Sequence, residues 1–553
     1  MIGVIADPSD FSVVQEFFEL FKTPWEFYRE GRHYSVLLCS GDSGLREQDA
    51  QLVVIYGGAK ARSDAAIAGS RASGKVSSRL LSYKGARLQL YFESFTFDDR
   101  SAGILVDAET LRPAVHETRR NGAIVVRVGY DLFREVRHLL TVGQPAPSAP
   151  SPTLDLHIAF LRDVIRSAGI SLIEIPPVPF GYRFIACLTH DVDHPFVRRH
   201  KFDHTMFGFL YRALIGSAID LFRRRTSAFN LLHNWLAALK LPFVHLGLAK
   251  DFWSGFERYQ EIEGGSPSSF FIIPFRNNPG RGSDGCAPRF RGATYGASDV
   301  ADQVHRLLAA DCEVGLHGID AWVDSAKGRE ELNEIRLITG ARNIGVRMHW
   351  LFFDEQSPVA LESAGASYDS TVGYNETIGY RAGTGQVYKP LNATTLLELP
   401  LHVMDTALFY PSHLHLSPED AQSRINDIIE NAVRQGGCVT VNWHDRSIAP
   451  ERLWTGTYVT LVQELRDKGA WFATASQATA WFRMRRSATF AINSDGSLRT
   501  TLPASSDGRL PALTLRKYRG ASGEPIDVAL KGVADAPCSH AVAVNCCGPT
   551  LLG

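Results

Sequence analysis

The sequence predicts an α/β protein whose largest part is a parallel-sheet barrel, or a distorted version of one. Three observations carry this. Between residues 181 and 485 seven short apolar runs end in polar residues: RFIACLTHDVDH, SSFFIIPFR, CEVGLHG, GVRMHW, LLELPLH, CVTVNWHD and AWFATASQ. Helical patterns lie between most of them, and strands alternating with helices build parallel sheets. Of 553 residues, 45% are hydrophobic and 21% charged, the ordinary globular mix, which excludes a mostly disordered or fibrous chain.

At about 150 residues per domain the length suggests roughly three to four domains. Residues 1–145 form an N-terminal α/β domain, with apolar runs at 3–7, 34–40, 52–58, 87–93 and 123–133. No phosphate-cradling glycine motif follows them; GGAKARS at 57–63 is too loose, so a structural or partner-facing role is expected there. Residues 146–180 hold the rest of a Pro/Ser/Ala linker (GQPAPSAPSP, 143–152) and a helix at 153–169. The barrel follows at 181–485, interrupted by an insertion at about 196–255. Residues 486–553 alternate in the strand manner with two Asp-Gly turn signals, a small β appendage, and end in an Ala/Gly/Pro-rich tail expected to be partly disordered.

The insertion carries MFGFLYRALIGSAIDLFRRR (206–225). It could cap the barrel or lie on a membrane or partner surface. The cap is favoured, because charges break the run and the chain as a whole is neutral. With 58 Lys and Arg against 59 Asp and Glu, the net charge of −1 offers no reason to bind nucleic acid. No stretch of about 20 residues is free of charge, so no membrane-spanning helix is expected. The start, MIGVIADPSDFSVVQ, reads as a strand entering a helix rather than an export signal. None of the eight cysteines forms a CxxC pair, and with no export signal read at the start, reduced, mostly buried thiols and a cytoplasmic location are expected. For Cys546 and Cys547 a bland tail outweighs a redox or metal role.

Chemistry concentrates at strand ends, where parallel barrels place their catalytic groups. After FIACL come Asp191 and Asp193, two apart, so both project to one side of an extended chain. Two such carboxylates raise each other's pKa unless a cation intervenes; a divalent metal on one leaves the other free as a base. His317 is a natural neutral ligand for a zinc-like ion. Arg347 could hold the base through a bidentate contact, and His349 shares its parity. His444 ends another buried strand, where Asp445 or another carboxylate could keep it protonated for leaving-group donation. Asp369, Tyr380, Arg381, His402 and Asp405 are weaker candidates for shaping a sugar subsite.

In this order THDVDH, EVGLHG, GVRMHW and VNWHD resemble the motifs of the polysaccharide deacetylases, the NodB-homology carbohydrate esterases. The resemblance covers about residues 181–485. It implies a distorted (β/α) barrel and a divalent metal, zinc foremost. The activity implied is hydrolysis of N- or O-acetyl groups on a carbohydrate by metal-activated water. By that resemblance Asp191 is the general base, Asp193 a metal carboxylate and His317 the first histidine of a His-x-x-x-His metal pair. Arg347 holds the base and His444 is the general acid. The departure lies four residues after His317, where Ala321 stands instead of a histidine. Asp320 or His349 could supply the third ligand; His349 is preferred because it keeps a nitrogen donor.

Two other functions compete. A glycoside hydrolase would pair Asp191 with Asp369 or Asp405 and survive chelation. A non-catalytic carbohydrate-binding or scaffold protein in polysaccharide assembly would hold no metal. Which glycan is used and the oligomeric state are not legible in the sequence.

Overall fold

The computed structural model describes residues 1–41, 49–59, 79–98, 104–223, 227–282, 284–492, 498–502, 508–520, 523–530 and 533–536. Its centre is the strand Phe184–Val192, buried at all nine positions, as a parallel strand covered on both faces must be. It pairs in parallel with Ser268–Ile272 on one side and Cys438–Asn442 on the other. Outward from Ser268–Ile272 follow Glu313–Gly318 and then Val346–Met348. Outward from Cys438–Asn442 lies Val403–Met404. The ring is completed by extended segments rather than full strands: Val346 bridges Asp369, and Asp369 bridges Glu398, both in parallel. Ala470–Phe472 joins at the foot of Phe184–Val192. The result is a curled parallel sheet, a distorted β/α barrel, whose carboxyl ends converge.

Helix boundaries follow local signals. Asp324 caps Ser325–Thr339, which ends on left-handed Gly340. Thr474 and Gln477 form a capping box on Ala475–Ser487. Gly345 is needed for a different reason. A Cβ there would collide with the ring of buried Tyr368, whose hydroxyl donates to Glu313. We expect Gly345→Ala to cost about 1–3 kcal/mol or more in chemical denaturation; an unchanged midpoint would show that the ring can move aside.

The N-terminal part is a six-stranded sheet in the order Trp25–Phe27, Ile2–Ile5, Tyr34–Ser40, Ala50–Tyr56, Ala123–Val128, Val115–Arg120. All pairs are parallel except the last. The run expected at 87–93 leaves this sheet. Ala86–Gln89 forms a hairpin with Leu80–Tyr83, turned by Lys84 and Gly85 with φ of 49° and 82°. Two successive positive φ values make a tight hairpin turn, which the pair Lys-Gly does not announce. Of GGAKARS, residues 60–63 lie outside the described residues; Gly57 O accepts from Arg127 Nη1.

The Pro/Ser/Ala stretch is not a free linker. Gln144 is buried and donates through Nε2 to Tyr380 O and Ser151 O, and Ala149 O accepts from Tyr380 N. A composition typical of linkers is held here by backbone hydrogen bonds to a distant segment. The helix expected at 153–169 is Thr153–Ser167.

The insertion folds as helical segments spanning His204–Phe222 and a longer helix, Ala228–His245. One face packs as expected of a cap, through Phe209, Ala213, Ala237, Leu241 and Trp253. The other face is open: Phe207, Phe222, Phe229 and Leu239 are exposed. By length and composition His204–Phe222, of mean hydropathy 1.3, passes for a membrane span, although Arg212 and Asp220 lie within it.

In the C-terminal part Leu513–Tyr518 pairs with Ile526–Leu530 and with Leu172–Glu174 from before the barrel. A second small sheet holds Thr489–Ile492, Leu498–Thr501 and Val533–Ala536. Residues 537–553, with Cys538, Cys546 and Cys547, lie outside the described residues. Cys39, Cys187, Cys312 and Cys438 are free and buried, and Cys286 is free and exposed.

Candidate active site

Asp191, Asp193, His317, His349 and His444 line one cavity of about 500 Å³ at the carboxyl ends of the barrel strands. The alternation that sends Asp191 and Asp193 into it turns His190 away. That ring is buried against Trp443 O and Glu263.

Three ligand atoms converge on one point: Asp193, His317 and His349 each offer one within 4.8 Å of the others. His317 Nε2 lies 3.3 Å and His349 Nε2 3.5 Å from Asp193 Oδ1. His317 Nδ1 is 3.0 Å from Arg347 O. A carbonyl only accepts, so Nδ1 carries a proton and Nε2 is the ring atom left to serve as a ligand. Burial pushes His349 down to about 3, so its ring is neutral. Asp193 Oδ1 is inaccessible to solvent and accepts no hydrogen bond. An anionic oxygen facing ring lone pairs is an arrangement that a cation satisfies, and N₂O from His, His and carboxylate is a usual catalytic zinc donor set. The residues fit a divalent metal.

Asp320, the other candidate third ligand, is committed elsewhere. Its Oδ2 pairs with Lys327 at 2.6 Å and its Oδ1 accepts from Arg281 N.

Asp191 sits beside the cluster, 3.9 Å from His317 Nε2. Its main partner is Asn442, which donates Nδ2 to Asp191 Oδ2 at 2.7 Å and accepts Asp191 N on Oδ1 at 3.1 Å. Arg347 reaches Asp191 with one nitrogen only, at 3.3 Å. The bidentate contact expected for Arg347 does not form. Its other donors are taken by Thr189 Oγ1, Ser370 O and Ser370 Oγ, while the guanidinium stacks on Phe271. Arg347 therefore braces the barrel interior and touches Asp191 from the side.

His444 is oriented by Asp405, not by Asp445. Asp405 Oδ1 lies 2.6 Å from His444 Nδ1, and Oδ2 accepts His444 N at 2.7 Å. Burial would lower the imidazole pKa, but the Asp405 carboxylate outweighs it and raises the group to about 10. His444 is thus a cation whose Nε2 faces the cavity, 3.9 Å from Asp193 Oδ2. Asp445 turns away to accept His194 N; burial, aided by the Asp193 charge, lifts its carboxyl to about 7.

The weaker candidates do not shape this cavity. Asp369 is buried, bonded to Thr371 and Ser370, and raised to about 6 by burial. Glu398 lies beside it, raised well above its ordinary range by burial and by the Asp369 charge. His402 is bonded to Thr440 N, and Tyr380 is buried. Arg381 donates to Gly373 O. Asp405 reaches the cavity only through His444. Neither Asp369 nor Asp405 faces Asp191 across the cavity, so the carboxylate pair a glycoside hydrolase needs is not assembled.

Other contributors carried no sequence signal of their own. Arg291 is buried and donates to Ile319 O and His349 O, fixing the loop that presents His349. Trp350, at φ 66°, stands half open at the cavity mouth with Phe290. Tyr410 lines the wall beside Arg446 and Arg452; burial works upward, but the two guanidiniums lower its phenol to about 8. Asn442 was within reach of sequence reading, two residues before His444 and of the same strand parity.

No family model and no curated protein matches the chain. Solved structures to which it is similar include polysaccharide deacetylases and carbohydrate esterases. With Agd3, a carbohydrate deacetylase, it shares 10% identity over 98% of each chain, TM-score 0.39. With PdaA of Bacillus subtilis, a family 4 carbohydrate esterase, it shares 8% over 55% of this chain and 84% of that one, TM-score 0.26. With Puue allantoinase it shares 13% over 56% of this chain and 93% of that one, TM-score 0.34. What the chain does is argued from its own site.

Proposed function

We propose that this protein is a metal-dependent hydrolase that removes acetyl groups from a sugar or a polysaccharide precursor. The observation that carries the reading is the meeting of three functions in one cavity. These are a metal-type donor set (Asp193, His317, His349), a carboxylate outside that set (Asp191) and a cationic imidazole (His444).

A divalent cation, zinc by the donor set, would be held by Asp193, His317 and His349 and would supply a Lewis acid for the acetyl carbonyl and an acidified water. Asp191 is placed to take the water's proton. Asn442 fixes its plane from both the amide N–H and the carboxylate side. His444, charged and locked by Asp405, gives its Nε2 proton to the departing sugar amine or hydroxyl. Phe290 and Trp350 offer apolar faces at the mouth on which a sugar ring can lie.

Acetate release from acetylated sugar oligomers and precursors tests the reading. We expect activity in the metal-loaded protein, loss on chelation and return on adding zinc, with metal content measured in parallel. Activity indifferent to complete metal removal would overturn it.

A further inference from the structure

We propose that the helical insertion is a docking surface for a bilayer bearing anionic lipid headgroups. The geometry is an apolar face on an amphipathic pair of helices. Along Ala228–His245 and just past it, Phe229, Leu232, Leu236, Leu239, Phe243 and Leu246 are all exposed. Their spacing of three and four residues puts them on one stripe. The opposite side of the same helix, Asn234, Ala237, Leu241 and Val244, is buried. In the preceding segment Phe207, Tyr211, Leu214 and Phe222 repeat the pattern, with Phe222 92% exposed, while Met206, Phe209 and Ala213 face inward. The two are tied by Trp235 Nε1 donating to Leu214 O. An open face of this many large apolar side chains is more than scattered surface hydrophobics.

Charge selects the occupant. Residues 196–250 hold nine Lys and Arg against two Asp, in a chain whose net charge is −1. Among the described residues Lys201, Arg223 and Lys240 are exposed and pair with no carboxylate. Exposed apolar side chains with unneutralised cations next to them in the chain, Arg223 beside Phe222 and Lys240 beside Leu239, match the acyl boundary and headgroups of an anionic leaflet. A second copy of this chain would bring the same cations to the contact and be repelled. Spanning the bilayer is opposed by Arg212 and Asp220 in the first segment and by the face packed on Trp253 and Ala449. The docked helices lie beside the cavity mouth, since the ring of His204 rests 4.4 Å from that of Phe290.

Co-sedimentation of the full chain with vesicles of phosphatidylcholine, and of phosphatidylcholine with phosphatidylglycerol, tests this. We expect binding to the anionic vesicles that weakens as salt is raised. Lys201→Glu, Arg223→Glu and Lys240→Glu together should weaken anionic binding by about 10²-fold, at about fivefold or more per site. Leu232→Gln, Leu236→Gln and Leu239→Gln should weaken binding to both compositions. All six positions are exposed, so thermal melting should match the parent. The proposal falls if the parent stays in the supernatant with anionic vesicles at low salt, or if both stably folded variants bind as the parent does. It also falls if light scattering shows a dimer that the apolar variant splits while vesicles bind neither. Should a variant fail to fold, the parent's lipid and salt dependence decides alone. Acetate release is not the readout, so this proposal and the hydrolase reading fail separately.

Discussion

Asp193→Asn is expected to strip the metal and lower acetate release by at least about 10²–10³-fold, the several kcal/mol of transition-state stabilisation that a metal-centred charge supplies. The substitution leaves His317 and His349 without the shared anion toward which both Nε2 atoms point. Two companions separate the roles. Asp191→Asn should keep the metal yet lose rate by about 10²–10⁴-fold, as loss of a general base does. Asp320→Asn should keep both, because that carboxylate is spent on Lys327 and Arg281 N. Metal content by mass spectrometry and initial rates check all three. A fully active, fully loaded Asp193→Asn protein would remove the proposed centre.

The second large effect is on pH. His444 is held up at about 10 by the Asp405 carboxylate against the opposing effect of burial. A general acid works only while protonated, so with His444 in the proposed role the alkaline limb of kcat/KM is expected to be set by this group. Asp405→Asn removes the charge and leaves the desolvation, so the limb should move down by about three units or more, past the ordinary imidazole value of about 6.5. The rate at neutral pH should fall by about 10²-fold, and more for amide than for activated ester substrates, whose leaving groups need less protonation. The sign extends to stability. A folded-state pKa raised above the unfolded value stabilises fully below about pH 6.5, and that contribution is lost as pH rises through about 10. An unchanged alkaline limb in Asp405→Asn would mean that His444 is not the titrating acid.

Much of the site was legible because its residues sit at the ends of buried strands. FIACL and CVTVN are apolar runs too short for helices, and the polar residues after them fall where a parallel barrel opens. Parity along one strand was enough to put Asp191 and Asp193 on one side. Partners were not legible. His444 is adjacent to Asp445 but is oriented by Asp405, 39 residues earlier, because the strands that lead into them are neighbours in the barrel. Arg347 has the charge to clamp Asp191, yet Thr189 and Ser370 take most of its donors, and Asn442 holds Asp191 instead. The near-neutral charge of the whole chain hides the insertion's local excess of cations.

The strand ends and the Asp-x-Asp spacing follow from the chain alone, since they depend on the backbone's own period of two residues. Which carboxylate meets which imidazole, and which apolar stripe finds a core while its counterpart stays open, was decided only by the packed barrel. Those contacts join segments tens to hundreds of residues apart, and proximity across a closed sheet is set by register between strands, not by any pattern within one of them.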